Sequence, residues 1–480
     1  MRYDVAIIGC GITGAAAAYQ LSRYDLRVVV LEKENDVSLG ATRANSAILH
    51  AGYDPEPNTL MAKLNVKGSA MAKELCKALD VPYGQVGSLV AAFSEEELPT
   101  LQKLYENGKA SGVPGLRLLS GPEARELEPG LAEDVKGALY APSAAIVDPW
   151  EYCLALAETA VKNGVEVRTR SEVTGAEKLP DGGWRLMTAG GAVETRFVLA
   201  AAGTHCADVH KMAGEPYYEV KPAKGQYYLL DKPEGRRVSH VVFQCPGPAG
   251  KGVLVAPTVH GNLIVGPTAE ASGPDDTANT AAGLEAVRRL SHKSVPGIQF
   301  GENIRNFAGV RANTTIDDFI LGQITEGFYE AAGIRSPGLS AAPAVAEFMI
   351  AAMQRDGLEL REKADWDGTR RRVRFKGLSA EEKNALIQKD PSYGRVVCRC
   401  ETITEGEIKE ALRSPIPPVS VDGVKRRAGT GMGRCQGGFC GPRVLDLMAR
   451  AYGAAPKDIL QDKDGSYILT GETKLGGAQQ

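Results

Sequence analysis

Residues 2–32 read RYDVAIIGCGITGAAAAYQLSRYDLRVVVLE, and the glycines in this stretch decide what kind of fold begins here. Arg2–Ile8 is a strand pattern running into Gly9, Gly11 and Gly14. A helical run over residues 15–23 and a second apolar strand over residues 27–31 follow. This is a βαβ unit carrying the dinucleotide-binding turn in the context that the turn requires. Gly9 permits the tight turn, Gly11 lets the backbone approach a pyrophosphate, and Gly14 lets the helix pack closely on the strand. Ile12 and Thr13 open the helix, whose free N–H groups and dipole favour an anion. Glu32 closes the second strand about 20 residues on, where a carboxylate accepts from ribose hydroxyls and repels a 2′-phosphate. Lys33 stands beside it. The turn by itself does not separate NAD from FAD.

Outward from this unit, residues 38–54 read SLGATRANSAILHAGYD. The loop is too long for a simple βα connection and rich in polar groups, as expected of a segment lying along a ligand. Thr42, Arg43, Ala44, Asn45 and Ser46 are its candidate contacts. Residues 197–203, FVLAAAG, form an apolar strand ending in the small residues Ala202 and Gly203. Residues 327–344, GFYEAAGIRSPGLSAAPA, read as a strand, a turn and a helix, with Gly333, Ser336, Pro337, Gly338 and Leu339 at the junction. That second helix start offers another positive end to an electron-rich group.

These segments, with VDPWEYCLALAETAVKNGVEV at residues 147–167 and GVRANT at residues 309–314, resemble the D-amino-acid-oxidase superfamily of FAD enzymes. The loop NSAILHAGYDPEPNTLMAKL is most similar to the branch of L-2-hydroxyglutarate and glycerol-3-phosphate dehydrogenases. The resemblance implies an α/β (α+β) fold in which a Rossmann-like FAD-binding domain is interleaved with an antiparallel-sheet substrate domain. On this reading residues 1–355 form the oxidoreductase, with FAD-binding segments at about 1–80, 145–215 and 305–355. The substrate domain takes about 81–144 and 216–304. Short strand-like runs at residues 88–93, 185–187, 225–230, 252–257 and 262–266 agree with such a sheet.

Of the nine cysteines, Cys398, Cys400, Cys435 and Cys440 lie in two close pairs, in GRVVCRCETIT and GRCQGGFCGPR. Four thiols so spaced are a candidate metal site. Gly433, Gly437, Gly438 and Gly441 would free backbone N–H groups to stabilise sulfur charge. Ligand type alone also admits a tetrahedral zinc. The pattern C-x-C, a helical stretch, then C-x4-C resembles the bacterioferritin-associated-ferredoxin-like [2Fe-2S] domain. This implies a small, mostly helical C-terminal domain over residues 395–455. Residues 356–394, with Arg370, Arg371, Arg372 and Arg374, read as a charged, solvated linker. The tail, 456–480, is expected to add one strand near residues 467–469 and then to be disordered.

Hydride transfer to a flavin needs a base for the hydroxyl proton and an anchor for substrate charge. His50 is the candidate base, since an imidazole with an ordinary pKa of about 6.5 accepts a proton near neutrality; relatives also use this region for covalent flavin attachment. Arg311 and Arg335 fall where the family's flavin-facing wall is expected, and a guanidinium forks onto carboxylate or phosphate. Arg311 is the stronger choice, Lys224 is a third anchor, and His205 reads equally well as surface.

The net charge of −3 and pI near 6.2 exclude a global electrostatic reason to bind nucleic acid or an anionic membrane. No apolar stretch reaches the roughly 18 residues of a membrane span, and no export signal is read in the first residues. The expectation is a cytoplasmic FAD- and [2Fe-2S]-dependent dehydrogenase of a small anionic alcohol, any membrane contact being peripheral and through a partner. By resemblance the substrate is glycerol 3-phosphate, the alternatives being L-2-hydroxyglutarate, another 2-hydroxy acid or an amino acid. A different class is an electron-relay subunit of a larger flavoprotein complex. With one nucleotide turn and no second site for NAD, the electron acceptor is expected to be a partner protein or subunit.

Overall fold

The glycine-bounded apolar strands assemble two large sheets in the computed structural model, which describes residues 2–247 and 252–471. Arg2–Ile8 lies inside an eight-stranded sheet, parallel to Val28–Leu31 on one side and Gly191–Ala200 on the other. Its residues Val5, Ala6 and Ile7 are fully buried, the continuous apolar run that a strand covered by helices on both faces needs. The helix Ile12–Leu21 packs on Pro149–Lys162 and Gly338–Arg355 through the buried Ala15, Ala16, Ala17 and Ala18, whose small side chains permit close approach. At Gly14 a Cβ would stand 2.0 Å from the Gly9 carbonyl oxygen, so only glycine lets this helix rest on the turn. Phe328–Ala332 extends the sheet beside Gly191–Ala200 and leads into Gly338–Arg355.

The second sheet has nine strands and is antiparallel except where Val241–Gln244 runs parallel to Ser88–Ala92. Ser88–Ala92, Ala223–Leu230, Leu254–Pro257 and Leu263–Gly266 are all in it. The expected strand at residues 185–187 is not: it belongs to Trp184–Thr188, in a hairpin with Gly191–Ala200 on the first sheet. The short connection from Thr188 to Gly191 pairs these neighbours in sequence as an antiparallel hairpin. Asn303–Arg311 pairs along Ala223–Leu230, and this ladder carries the wall of the site described below.

Beyond these sheets, Val396–Cys398 pairs with Ile403–Thr404, and the helices Glu405–Leu412, Val421–Ala428 and Gly441–Tyr452 close a separate core on Ile408, Val424, Val444 and Met448. The arginine run does not behave as a solvated linker. Arg370, Arg372 and Arg374 all reach Glu151, at 3.1, 3.0 and 2.8 Å, and Arg370 also reaches Glu158 at 3.0 Å. Both acids face inward from Pro149–Lys162, one above the other at i and i+7, and a buried carboxylate needs a cation. Burial opposes ionisation of Glu151, but Arg372, Arg374 and Arg370 outweigh it and hold the carboxyl at about 2. The expected strand at residues 467–469 is reduced to a single bridge between Leu460 and Tyr467 across a tight turn. The rest of the expected tail, residues 472–480, lies outside the described residues.

Candidate active site and cluster-binding loops

Between the two sheets runs a cavity of about 550 Å³. Gly9, Gly11, Ile12 and Thr13 line it from the first turn, Glu32 and Lys33 from the end of the second strand. Thr42, Arg43, Ala44, Asn45 and Ser46 line it from the long loop, Ala202 and Gly203 from the third strand end, and Ser336, Pro337, Gly338 and Leu339 from the second helix start. Two predicted contacts do not reach it. Gly14 acts in packing, and Gly333, at φ +64°, turns the chain against Asp318 and Thr314 ahead of the helix.

The first helix starts at Gly11 with no side-chain cap, which leaves its first turn open to an anion. The Thr42 hydroxyl accepts from the Ile12 N–H at 3.0 Å and ties the long loop to that turn. Glu32 accepts from the backbone N–H groups of Cys10 (2.7 Å) and Glu34 (2.9 Å), and each oxygen retains a lone pair for a ribose hydroxyl. Burial raises the Glu32 pKa. These features fit a dinucleotide with its pyrophosphate at Gly11 and a ribose at Glu32.

At the other end, His50 lies 3.2 Å through Nε2 from the Ser336 hydroxyl and stacks on Phe243 at 5.7 Å between ring centres. Its backbone N–H donates to the Ser340 hydroxyl, on the second helix, at 2.7 Å. Arg311, at the end of Asn303–Arg311, donates to the carbonyl oxygen of Thr268 at 3.3 and 3.4 Å, and among the described residues no carboxylate pairs with it. Arg335 is paired with the exposed Asp317. All three line the cavity.

Lys224 does not. Ala223 stands opposite Arg311 in the ladder, so Lys224, one residue on, projects from the other face, where its Nζ bonds Asp276 at 2.8 Å. The same alternation puts Tyr227 on the Arg311 side, lining the cavity and within 3.2 Å of the Ser46 hydroxyl. Period-two spacing from Ala223 was the signal that could have found it. His205 lines the nucleotide end, 3.0 Å from Lys33 Nζ and 3.1 Å from Asp275. Lys463, from near the C-terminus, lines the same end, and nothing in its local sequence announced it.

The four cysteines meet two and two. Cys400 and Cys435 sulfurs are 3.7 Å apart, and the Cys440 thiol donates to Cys398. That donation, with backbone N–H groups of Gly431 and Glu401, favours thiolate at Cys398 despite burial. The N–H groups of Phe439 and Gly437 do the same at Cys435. A mononuclear tetrahedral centre needs its ligands around one point, and among the described residues no three His, Cys, Asp or Glu groups are so placed. Two pairs suit a binuclear cluster with two thiolates on each iron.

A dinucleotide cradle ending in a chamber lined by His50, Arg311 and Arg335, with thiols paired for two irons elsewhere in the chain, fits a flavin- and iron–sulfur-dependent oxidoreductase. The chain belongs to the FAD dependent oxidoreductase family (DAO), whose model matches residues 4–353, and a BFD-like [2Fe-2S] binding domain matches residues 396–450. It is 47% identical to a glycerol 3-phosphate dehydrogenase of Caloramator mitchellensis, over 98% of this chain and 99% of the other. It is 30% identical to the mitochondrial L-2-hydroxyglutarate dehydrogenase of Homo sapiens, over 70% of this chain and 82% of that one. Among solved structures, the FAD-bound L-alpha-glycerophosphate oxidase of Mycoplasma pneumoniae is similar with a TM-score of 0.73 and 29% identity, covering 77% of this chain and 98% of that one. FAD and a [2Fe-2S] cluster are thus its cofactors. Among the described residues no helix is long and apolar enough to cross a membrane.

Proposed function

We propose that this chain is a cytoplasmic glycerol 3-phosphate dehydrogenase that yields dihydroxyacetone phosphate and passes electrons to a partner protein. Bound FAD would supply the hydride acceptor, and the cluster would divide the electron pair into single-electron steps. The observation that carries the reading is Arg311, a cavity-lining guanidinium that among the described residues bonds the Thr268 carbonyl oxygen and no carboxylate. Such a fork suits the phosphate of a small substrate. Arg335, shared with Asp317, stands as a second cation on the same chamber. His50, oriented by Ser336 and Phe243, takes the proton from the substrate hydroxyl.

In this reading residues 1–355 form the oxidoreductase, 356–394 the joint, and 395–455 the cluster domain. Cys398 and Cys440 hold one iron, and Cys400 and Cys435 the other. The near full-length likeness to the Caloramator mitchellensis enzyme supports glycerol 3-phosphate, since it extends through both matched segments. The likeness to L-2-hydroxyglutarate dehydrogenases supports a second reading, because Arg311 would also hold a carboxylate. Comparing kcat/KM for the two substrates with one artificial acceptor separates them. A preference for glycerol 3-phosphate of at least about 100-fold is expected, and a preference for the hydroxy acid overturns the assignment.

A further inference from the structure

Residues 459–467 lie beyond both matched segments, which end at 353 and 450, yet they bring Lys463 to the nucleotide end of the cavity. Lys463 lines that end, and its Nζ donates to Glu34 at 2.6 Å. Asp462 accepts from Arg43 at 2.5 Å and from Arg426 at 2.8 Å, while its carbonyl accepts from the Asn35 amide at 2.9 Å. Asp464 accepts from Arg170 at 2.8 Å. On the far side, the carbonyls of Leu460 and Gln461 accept from the N–H groups of Val421 and Asp422, at 3.0 and 2.8 Å, where the helix Val421–Ala428 begins.

One turn is therefore bonded to the cluster-bearing region on one side and, on the other, to two segments that line the dinucleotide site, at Glu34 and Arg43, and to Arg170. Acids crowd this end of the cavity: Glu32, Glu34, Glu172, Asp208 and Asp275 line it, and Lys33, Arg43 and Lys463 are the cations that offset part of that charge. Removing Lys463 leaves Glu34 uncompensated at the nucleotide end of the cavity, and removing Asp462 frees the Arg43 side chain from its anchor.

We infer that residues 459–467 are a strap that retains FAD. Lys463 is a binding residue for the adenosine-diphosphate half of the cofactor, and Asp462 is a positioning residue acting through Arg43. Cofactor retention is thereby linked to docking of the cluster-bearing region through Arg426 and Val421. No part of the strap enters the substrate chamber, so the effect falls on cofactor release rather than on substrate affinity.

The test is the FAD release rate of full-length holoenzyme, followed as the rise of free-flavin fluorescence after dilution. K463A should release FAD about tenfold faster than wild type, the loss of one charge-assisted contact, and D462A should do likewise. K463R should stay within about twofold of wild type, which a purely packing role would not produce. Iron content and far-UV circular dichroism establish that each variant is folded. Should D462A fail to fold, K463A decides the matter, since among the described residues the Lys463 side chain bonds only Glu34. Release from K463A at the wild-type rate overturns the strap.

Discussion

Arg427 meets Asp36 through two N–H···O bonds of 2.8 Å, and both side chains are only 2% exposed. Arg426 adds a third bond to the same carboxylate at 3.0 Å. Asp36 lies a few residues beyond Glu32, while both arginines lie on Val421–Ala428, so this pair joins the dinucleotide edge to the cluster-bearing region. Replacing Asp36 by alanine removes the carboxylate that both buried guanidinium groups share, leaving Arg426 with Asp462 at 2.8 Å and Arg427 with Glu158 at 3.7 Å, and should cost about 3 kcal/mol. Denaturant titration of D36A checks this, with a loss below about 1 kcal/mol counting against a buried, structural pair.

Acid should loosen the same joint. Burial opposes ionisation of Asp36, but Arg427 and Arg426 hold its carboxyl at about 2, below the usual 3.8, and Glu151 is likewise held at about 2 from 4.5. Carboxyls depressed in the folded state stabilise it above their ordinary values, and that stability is lost as pH falls toward 2. Each depressed carboxyl contributes on the order of 2 to 3 kcal/mol at neutral pH. The contribution of these two carboxyls to unfolding free energy should therefore be flat from pH 7 to 5 and fall between pH 4.5 and 2. In D36N the fall should be shallower, and an unchanged slope would show that Asp36 is not the group titrating.

These ion pairs mark where the sequence stopped being informative. The opening turn was legible because Gly9, Gly11 and Gly14 act within one local unit, and Cys398, Cys400, Cys435 and Cys440 because their ligand chemistry survives without knowledge of the fold. His50 and Arg311 were found through motifs that resemble a family. Lys224 was misplaced because its face depends on strand register, which spacing alone leaves open by one residue. The arginines at 370–374 read as solvated because their partners, Glu151 and Glu158, lie more than two hundred residues away. Lys463 could not be found at all, since its reason lies in the approach of a distant turn to Glu34.

Arg311 should act on substrate affinity. R311Q removes a charge-assisted fork and should lower kcat/KM for glycerol 3-phosphate by about 30- to 150-fold, mostly through KM. FAD content should be unchanged. A loss confined to kcat would move Arg311 from anchoring to chemistry.

His50 should act on the chemical step. H50Q is expected to lower kcat by at least about 100-fold while leaving KM within a few-fold, the signature of a lost general base. The acidic limb of the pH–rate profile should vanish in this variant. Its survival would assign the limb, and the proton, to another group.

The most direct measurement is anaerobic addition of glycerol 3-phosphate to the purified holoenzyme, followed by visible absorption and by the electron paramagnetic resonance of the cluster. Bleaching of the flavin band by about one equivalent, with the reduced [2Fe-2S] signal appearing in the same sample, is the predicted result. A flavin that stays oxidised with glycerol 3-phosphate but bleaches with L-2-hydroxyglutarate, or with neither, would contradict it.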